Sequence, residues 1–210
     1  MTKKEKTMIE MTEEVRDRII AMTKKAAKNA SRSLQKLSDN QVSVNISDIH
    51  VKNLDYVFPD LGAETMVVGI CLRITGDIAG VSLLIFPENV AYDMCDLLFR
   101  RESGATSHLT DLDKSALKEV GNILCGSFLT VLSNTLKIKI IENLPDLSFD
   151  MFGAVAGGTV AQMSQQAKNA LVINVTFKFE HSVVAGHVLL VFGIEEMNAI
   201  IKAIEKVVEK

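Results

Sequence analysis

The sequence predicts an α+β fold, in which a helix-strand-strand-strand-helix unit is written twice. The result would be a pseudo-two-fold domain with a mainly antiparallel sheet covered by two long helices. Three observations predict it. Helical apolar spacing opens at about residue 12 and again, 98 residues on, at Thr110. Strand-like runs follow each of these helices, and a shorter helix closes each copy. The third strand also recurs: Ile78-Ala79-Gly80-Val81-Ser82-Leu83-Leu84-Ile85-Phe86 aligns with Val184-Ala185-Gly186-His187-Val188-Leu189-Leu190-Val191-Phe192.

In the first copy, Val15, Ile19, Met22, Ala26, Ala30, Leu34 and Leu37 recur at three- or four-residue steps. This makes one apolar stripe on a helix at 12–38. Strands are expected at Val42–Val51, Thr65–Ile74 and Ala79–Phe86. Pro87 then precedes a helix at 88–100 that carries Val90, Met94, Leu97 and Leu98. In the second copy, Thr110 and Asp113 form a capping-box start for a helix to about 136. Leu112, Ala116, Val120, Ile123, Leu124 and Val131 are expected to be its buried stripe. Strands are expected at Ile138–Ile141, Ala170–Phe179 and Val183–Phe192, and a last helix at 194–207. Asp150–Lys168, glycines among alanines and methionines, reads as a loose helix or mobile loop. A glycine inside a strand marks a bulge or a close backbone approach, so the match of Gly80 with Gly186 points to repeated architecture. The whole reads as one domain over 1–210, with halves of about 11–104 and 105–208 and a flexible 1–10.

Composition narrows the function classes. The chain has 210 residues, is 48% hydrophobic and 23% charged, and lacks tryptophan. A net charge of −3 creates no global field for nucleic acid or an anionic membrane. Residues 1–38 are locally basic, with ten basic and five acidic side chains. Lys24, Lys25, Lys28, Arg32 and Lys36 could form a docking patch for an acidic partner, but a solvated face is the favoured reading. Cys71, Cys95 and Cys125 sit singly in apolar runs, which favours small buried thiols over metal ligands or disulfides. The four histidines are scattered, and His108 reads as an exposed loop residue. No metal site, phosphate loop, dinucleotide fingerprint or Ser-His-Asp triad is visible. Met1–Glu10 lacks a signal-peptide core and no apolar run reaches ~18 residues, so a cytoplasmic chain without membrane insertion is expected.

Candidate chemistry concentrates on the second opening helix. Ser115, Glu119, Asn122 and Gly126 fall at i, i+4, i+7 and i+11, one line on one face. Taken alone, such a line is most simply a solvated helix face. Asn, Ser and the glycines at 121 and 126 are poor helix formers, glycine by roughly 1 kcal/mol relative to alanine. A helix that carries them suggests a low surface against which something docks.

Ser115-x-x-x-Glu119-x-x-Asn122, with Pro145 after a further 22 residues, resembles the motif of the CheC/CheX/FliY chemotaxis phosphatases. Gly76-Asp77-Ile78-Ala79-Gly80 with Leu83-Leu84-Ile85-Phe86-Pro87 resembles the family's third strand. Phe149-Asp150-Met151 with Gly153-Ala154 resembles the segment after its second site. The likeness spans about 11–206 and is most like CheC. It implies a CheC-like fold and hydrolysis of phospho-aspartate on a CheY-like receiver. It also implies that Asn122 positions the attacking water, Glu119 meets the receiver's lysine, and Ser115 and Gly126 support docking. No cofactor would be bound by this chain, and Mg²⁺ would come from the receiver. The first copy departs from the motif: the matching positions hold Asp17, Ala21, Lys24 and Ser47, so no catalytic role is carried there.

The rival expectation is a non-catalytic chemotaxis adaptor that binds the deamidase CheD or a response regulator. A flagellar switch component is a further version of it. Against that version stands the lack of a receiver-binding peptide before the domain and a rotor domain after it.

Overall fold

The computed structural model describes residues 12–38, 41–53, 62–162, 169–179 and 182–208. The expectation for 1–10 lies outside them, as does the end of the 150–168 segment. The chain runs α1 (Glu13–Ser38), β1 (Val42–Asn53), β2 (Met66–Gly76), β3 (Gly80–Pro87) and α2 (Glu88–Phe99). It continues through α3 (Asp111–Leu136), β4 (Ile140–Glu142), β5 (Asp146–Met151), α4 (Phe152–Gln162), β6 (Asn169–Phe179), β7 (Val183–Phe192) and α5 (Ile194–Val208). The α+β expectation holds, with the second copy more divided than expected.

Seven strands form one sheet in the order β1-β6-β7-β3-β2-β4, with β5 also pairing β2. Every described pairing is antiparallel. The order is symmetric about the β3–β7 pair. β2 and β6 flank that pair, and β1 and the β4/β5 strands lie at the margins. Each copy's first strand therefore pairs with the other copy's second strand, so the halves interlock instead of sitting side by side.

At the central pair the two matched glycines have one physical reason. Gly80 lies opposite Phe192, and a Cβ there would meet the Phe192 ring at 2.6 Å. A Cβ on Gly186 would meet the Phe86 ring at 2.6 Å. Each glycine leaves room for a phenylalanine of the neighbouring strand, the close approach expected of an in-strand glycine.

The larger core lies between the sheet and α1, α2, α3 and α5, and includes Val68, Ile70, Leu72 and Leu84 from the strands. On the other sheet face, Val67, Leu83, Ile85, Leu189 and Val191 pack with Val155 of α4. The α1 stripe is buried as expected from Val15 to Leu34, but Leu37 is 43% exposed. Ser38, four residues after Leu34, takes the inward position and donates its hydroxyl to the Leu34 carbonyl at 2.9 Å. Among the described residues no helix is long and apolar enough to cross a membrane.

Candidate functional site

The site helix α3 starts from a full capping box. The Thr110 hydroxyl accepts from the Asp113 amide, and the Asp113 carboxylate accepts from the Thr110 amide at 2.9 Å. Asp113 is fully buried and also pairs with Arg101 at 2.7 Å. Arg101 lies over the Phe99 ring and donates to Thr106, while the buried Asp96 accepts from Thr106 and from the Gly104 amide. This network ties the connection between the halves to the first turn of α3. Burial alone would lift the Asp113 pKa. Hydrogen bonds from Thr110 and the close pairing with the Arg101 charge outweigh it and hold the carboxyl below its ordinary value.

The buried face of α3 differs from expectation. Val120, Leu124 and Val131 are buried, but Leu112 is 61% exposed and Ala116 and Ile123 are only half-buried. The inward line is Asp113, Leu117, Val120, Gly121, Leu124, Cys125 and Phe128. The buried carboxylate of the cap sets that phase, because Asp113 turns inward and Leu112 is swung out.

Ser115, Glu119 and Asn122 then fall on the outer part of the helix. Ser115 is exposed, and its hydroxyl donates to the Asp111 carbonyl at 2.8 Å, within its own helix. Glu119 and Asn122 are half-buried neighbours one turn apart, and the Asn122 amide nitrogen lies 3.5 Å from a Glu119 carboxylate oxygen. That orientation turns the Asn122 amide oxygen to the other branch of the side chain, where it could accept from a water. The pair is polar and accessible, and needs no proton of its own to orient a small molecule. Pro145 sits between β4 and β5, both of which contact α3.

The glycines behave differently from the docking role expected of them. Gly121 is buried, and a Cβ there would meet Ile70 Cγ2 at 2.6 Å, so it serves packing of α3 on the sheet. At Gly126 a Cβ would lie 2.6 Å from a Glu142 carboxylate oxygen. That space is filled by this chain's own β4. Glu142 escaped the sequence reading because it is one acidic residue in a short run with no spacing signal.

On α1, Asp17, Ala21 and Lys24 are exposed, as are Lys25, Lys28, Arg32 and Lys36. This is the solvated face favoured above. Cys95 and Cys125 are buried, and burial first of all pushes both thiols up to about 12, away from nucleophilic chemistry. His108 is exposed. A cavity of about 420 Å³ lies on the other sheet face, between Arg73, Asp146 and Ser148 on one side and Val155 of α4 on the other. It includes none of the α3 residues. Among the described residues no group of three or more His, Cys, Asp or Glu side chains is placed to hold a metal ion.

The CheC-like family model matches residues 112–143, the stretch that holds the α3 line and Glu142. The CheY-P phosphatase CheC of Bacillus subtilis strain 168 is 35% identical over 115 residues, 54% of this chain and 55% of that protein. The chain thus spans about half the length of that relative. Among solved structures, Thermotoga maritima FliY superposes with a TM-score of 0.75 at 18% identity, covering 94% of this chain and 99% of the other. The FliM middle domain of H. pylori superposes at 0.65 and 13% identity, covering 91% and 99%. The structural likenesses carry the fold, and the sequence matches bear out the resemblance to CheC-like proteins.

Proposed function

We propose that this CheC-like chain is a phosphatase that hydrolyses the phospho-aspartate of a CheY-like receiver through Glu119 and Asn122. The observation that carries the reading is the half-buried Glu119–Asn122 pair, on a capped helix inside the one segment that the CheC-like family model matches. An acyl phosphate is already labile, so the enzyme's task is to hold a water in line with the phosphorus–oxygen bond. The water oxygen bonds to phosphorus and the bond to the aspartyl oxygen breaks. Inorganic phosphate leaves, the aspartate regains its carboxylate, and the water's proton passes to phosphate or solvent. Asn122 accepts from that water without ionising. Glu119 meets a cationic group of the receiver, and Ser115, bound to its own backbone, supports the docking face. The Mg²⁺ that neutralises the phosphoryl oxygens belongs to the receiver.

The test mixes the chain with phosphorylated CheY-type receivers and follows phosphate loss. Asn122→Ala is expected to cut the accelerated decay by roughly a hundredfold while receiver binding persists. Glu119→Ala is expected to weaken binding first. Decay at the wild-type rate with Asn122→Ala sinks the assignment. A wild-type chain that binds a receiver or a CheD-type deamidase without speeding decay favours the adaptor reading. The exposed α1 positions Asp17, Ala21 and Lys24, where the motif is lost, are the specific observation on that reading's side.

A further inference from the structure

Glu142 ends β4, where it lies opposite Ile74 of β2. One of its carboxylate oxygens occupies the notch left by Gly126, 2.6 Å from where a Cβ would stand. The other oxygen is buried without a hydrogen-bond partner among the described residues. Burial pushes the carboxyl's pKa upward, which suits an acid seated in a notch without a counter-charge. Gly126 is one helical turn beyond Asn122, and Pro145 lies three residues beyond Glu142. The Glu142–Gly126 contact therefore joins the helix that carries Asn122 to the corner that carries Pro145. A buried carboxylate oxygen at that seam, on a half-buried side chain, costs stability unless its place is used. An apolar residue would fill the notch more cheaply.

We propose that Glu142 is a positioning residue: seated in the Gly126 notch, it holds the 143–145 corner at a fixed distance from Asn122 and so shapes the floor on which the attacking water is held. This rests on the phosphatase reading of Asn122. Because its second oxygen is buried, Glu142 acts through the corner and not by touching the receiver. Its loss should therefore appear in kcat and not in KM.

The test measures kcat and KM for dephosphorylation of a phosphorylated CheY-type receiver, and amide hydrogen exchange at 143–147, in the full chain. Glu142→Ala is expected to lower kcat about tenfold, leave KM within about twofold, and speed exchange at the corner. Glu142→Gln, which keeps the shape, should recover most of the rate. Gly126→Ala should reproduce the loss by displacing the carboxyl. In Gly126→Ala/Glu142→Ala the overlap is gone, so melting should recover while kcat stays low. Faster exchange with unchanged kcat overturns the proposal, as does a loss carried wholly in KM. If Asn122→Ala abolishes activity and Glu142→Ala does not, this proposal alone falls. If the wild-type chain does not speed decay, the phosphatase reading falls and takes this one with it.

Discussion

Asp113 does two jobs with one carboxylate: it completes the cap of α3 and it pairs with Arg101. A buried charge is tolerated only when it is paired; here Thr110 donates to Oδ2, while Oδ1, without a hydrogen-bond partner among the described residues, faces the Arg101 guanidinium at 2.7 Å. Asp113→Asn should therefore cost about 2 kcal/mol at pH 7, held to that by the partial exposure of Arg101, which water can solvate. Folding lowers this carboxyl's pKa, so its contribution is complete above the unfolded value of about 3.9 and is lost as pH falls through the folded value. Denaturant unfolding of wild type and Asp113→Asn should differ at pH 7 and converge below about pH 4. A difference that persists unchanged in acid would assign the effect to shape and not to charge. The cap was legible in the sequence because Thr110 and Asp113 are three residues apart. The pairing with Arg101 was not, because twelve residues and a turn separate the two and no periodicity links them. The same hidden pairing explains why Leu112 was misplaced. Apolar spacing alone cannot tell that an aspartate takes the inward position.

The element that positions the site is α3, and Gly121 sets how closely it approaches the sheet. Ile70 Cγ2 occupies the space where a Cβ would stand. Gly121→Ala gains up to about 1 kcal/mol of helix propensity but forces an overlap that costs about 1–3 kcal/mol in a packed core. The expected result is a net loss of up to about 3 kcal/mol, or a fall in Tm of up to several degrees for a chain of this size. Ile70→Ala/Gly121→Ala should recover the part due to overlap, measured by thermal unfolding. An unchanged Tm in Gly121→Ala would mean that α3 can slide over β2. Strand β5 shows where element reading stops. Its Phe149 and Met151 remain 38% and 49% exposed at the sheet margin, although the strand alternates strictly, polar at Asp146, Ser148 and Asp150 and apolar at Leu147, Phe149 and Met151. The period-two alternation that marks a strand was present, but over only six residues between Pro145 and the glycine-rich segment, too short a run to stand out. α4, by contrast, was half visible: its small residues suggested a loose helix, and 152–162 form one because Val155 finds the second core beneath it.

At the scale of the whole molecule, the interlocked strand order makes the β3–β7 pair the axis on which both halves depend. Repetition of the third strand was the most legible fact in the sequence, since glycine and phenylalanine recur six residues apart in both copies. The exchange of outer strands between halves was not legible, because partners as distant in the chain as Val42 and Phe179, or Ile74 and Glu142, leave no local mark. The two glycine notches look equivalent in sequence but differ in what surrounds them. At Gly186 the three atoms nearest a Cβ all belong to the Phe86 ring, so no other atom comes closer than 3.4 Å, whereas at Gly80 a Cβ would meet both the Phe192 ring and the Val191 carbonyl oxygen at 2.6 Å. A ring can turn or be trimmed; a backbone carbonyl in a ladder cannot move without breaking its strand pairing. Gly186→Ala should thus be rescued in large part by Phe86→Leu, beyond the cost of the leucine itself. Gly80→Ala should remain about 1 kcal/mol or more below full rescue with Phe192→Leu, because the carbonyl overlap persists. The notches lie at opposite ends of the central pair, so Gly80→Ala and Gly186→Ala should add to within about 0.5 kcal/mol. Double-mutant cycles in urea measure all three quantities. Equal rescue at both glycines would show that the two halves relax alike and that the pseudo-two-fold governs energetics as well as topology. Strong non-additivity would show that strain at one notch passes along β3 and β7 to the other.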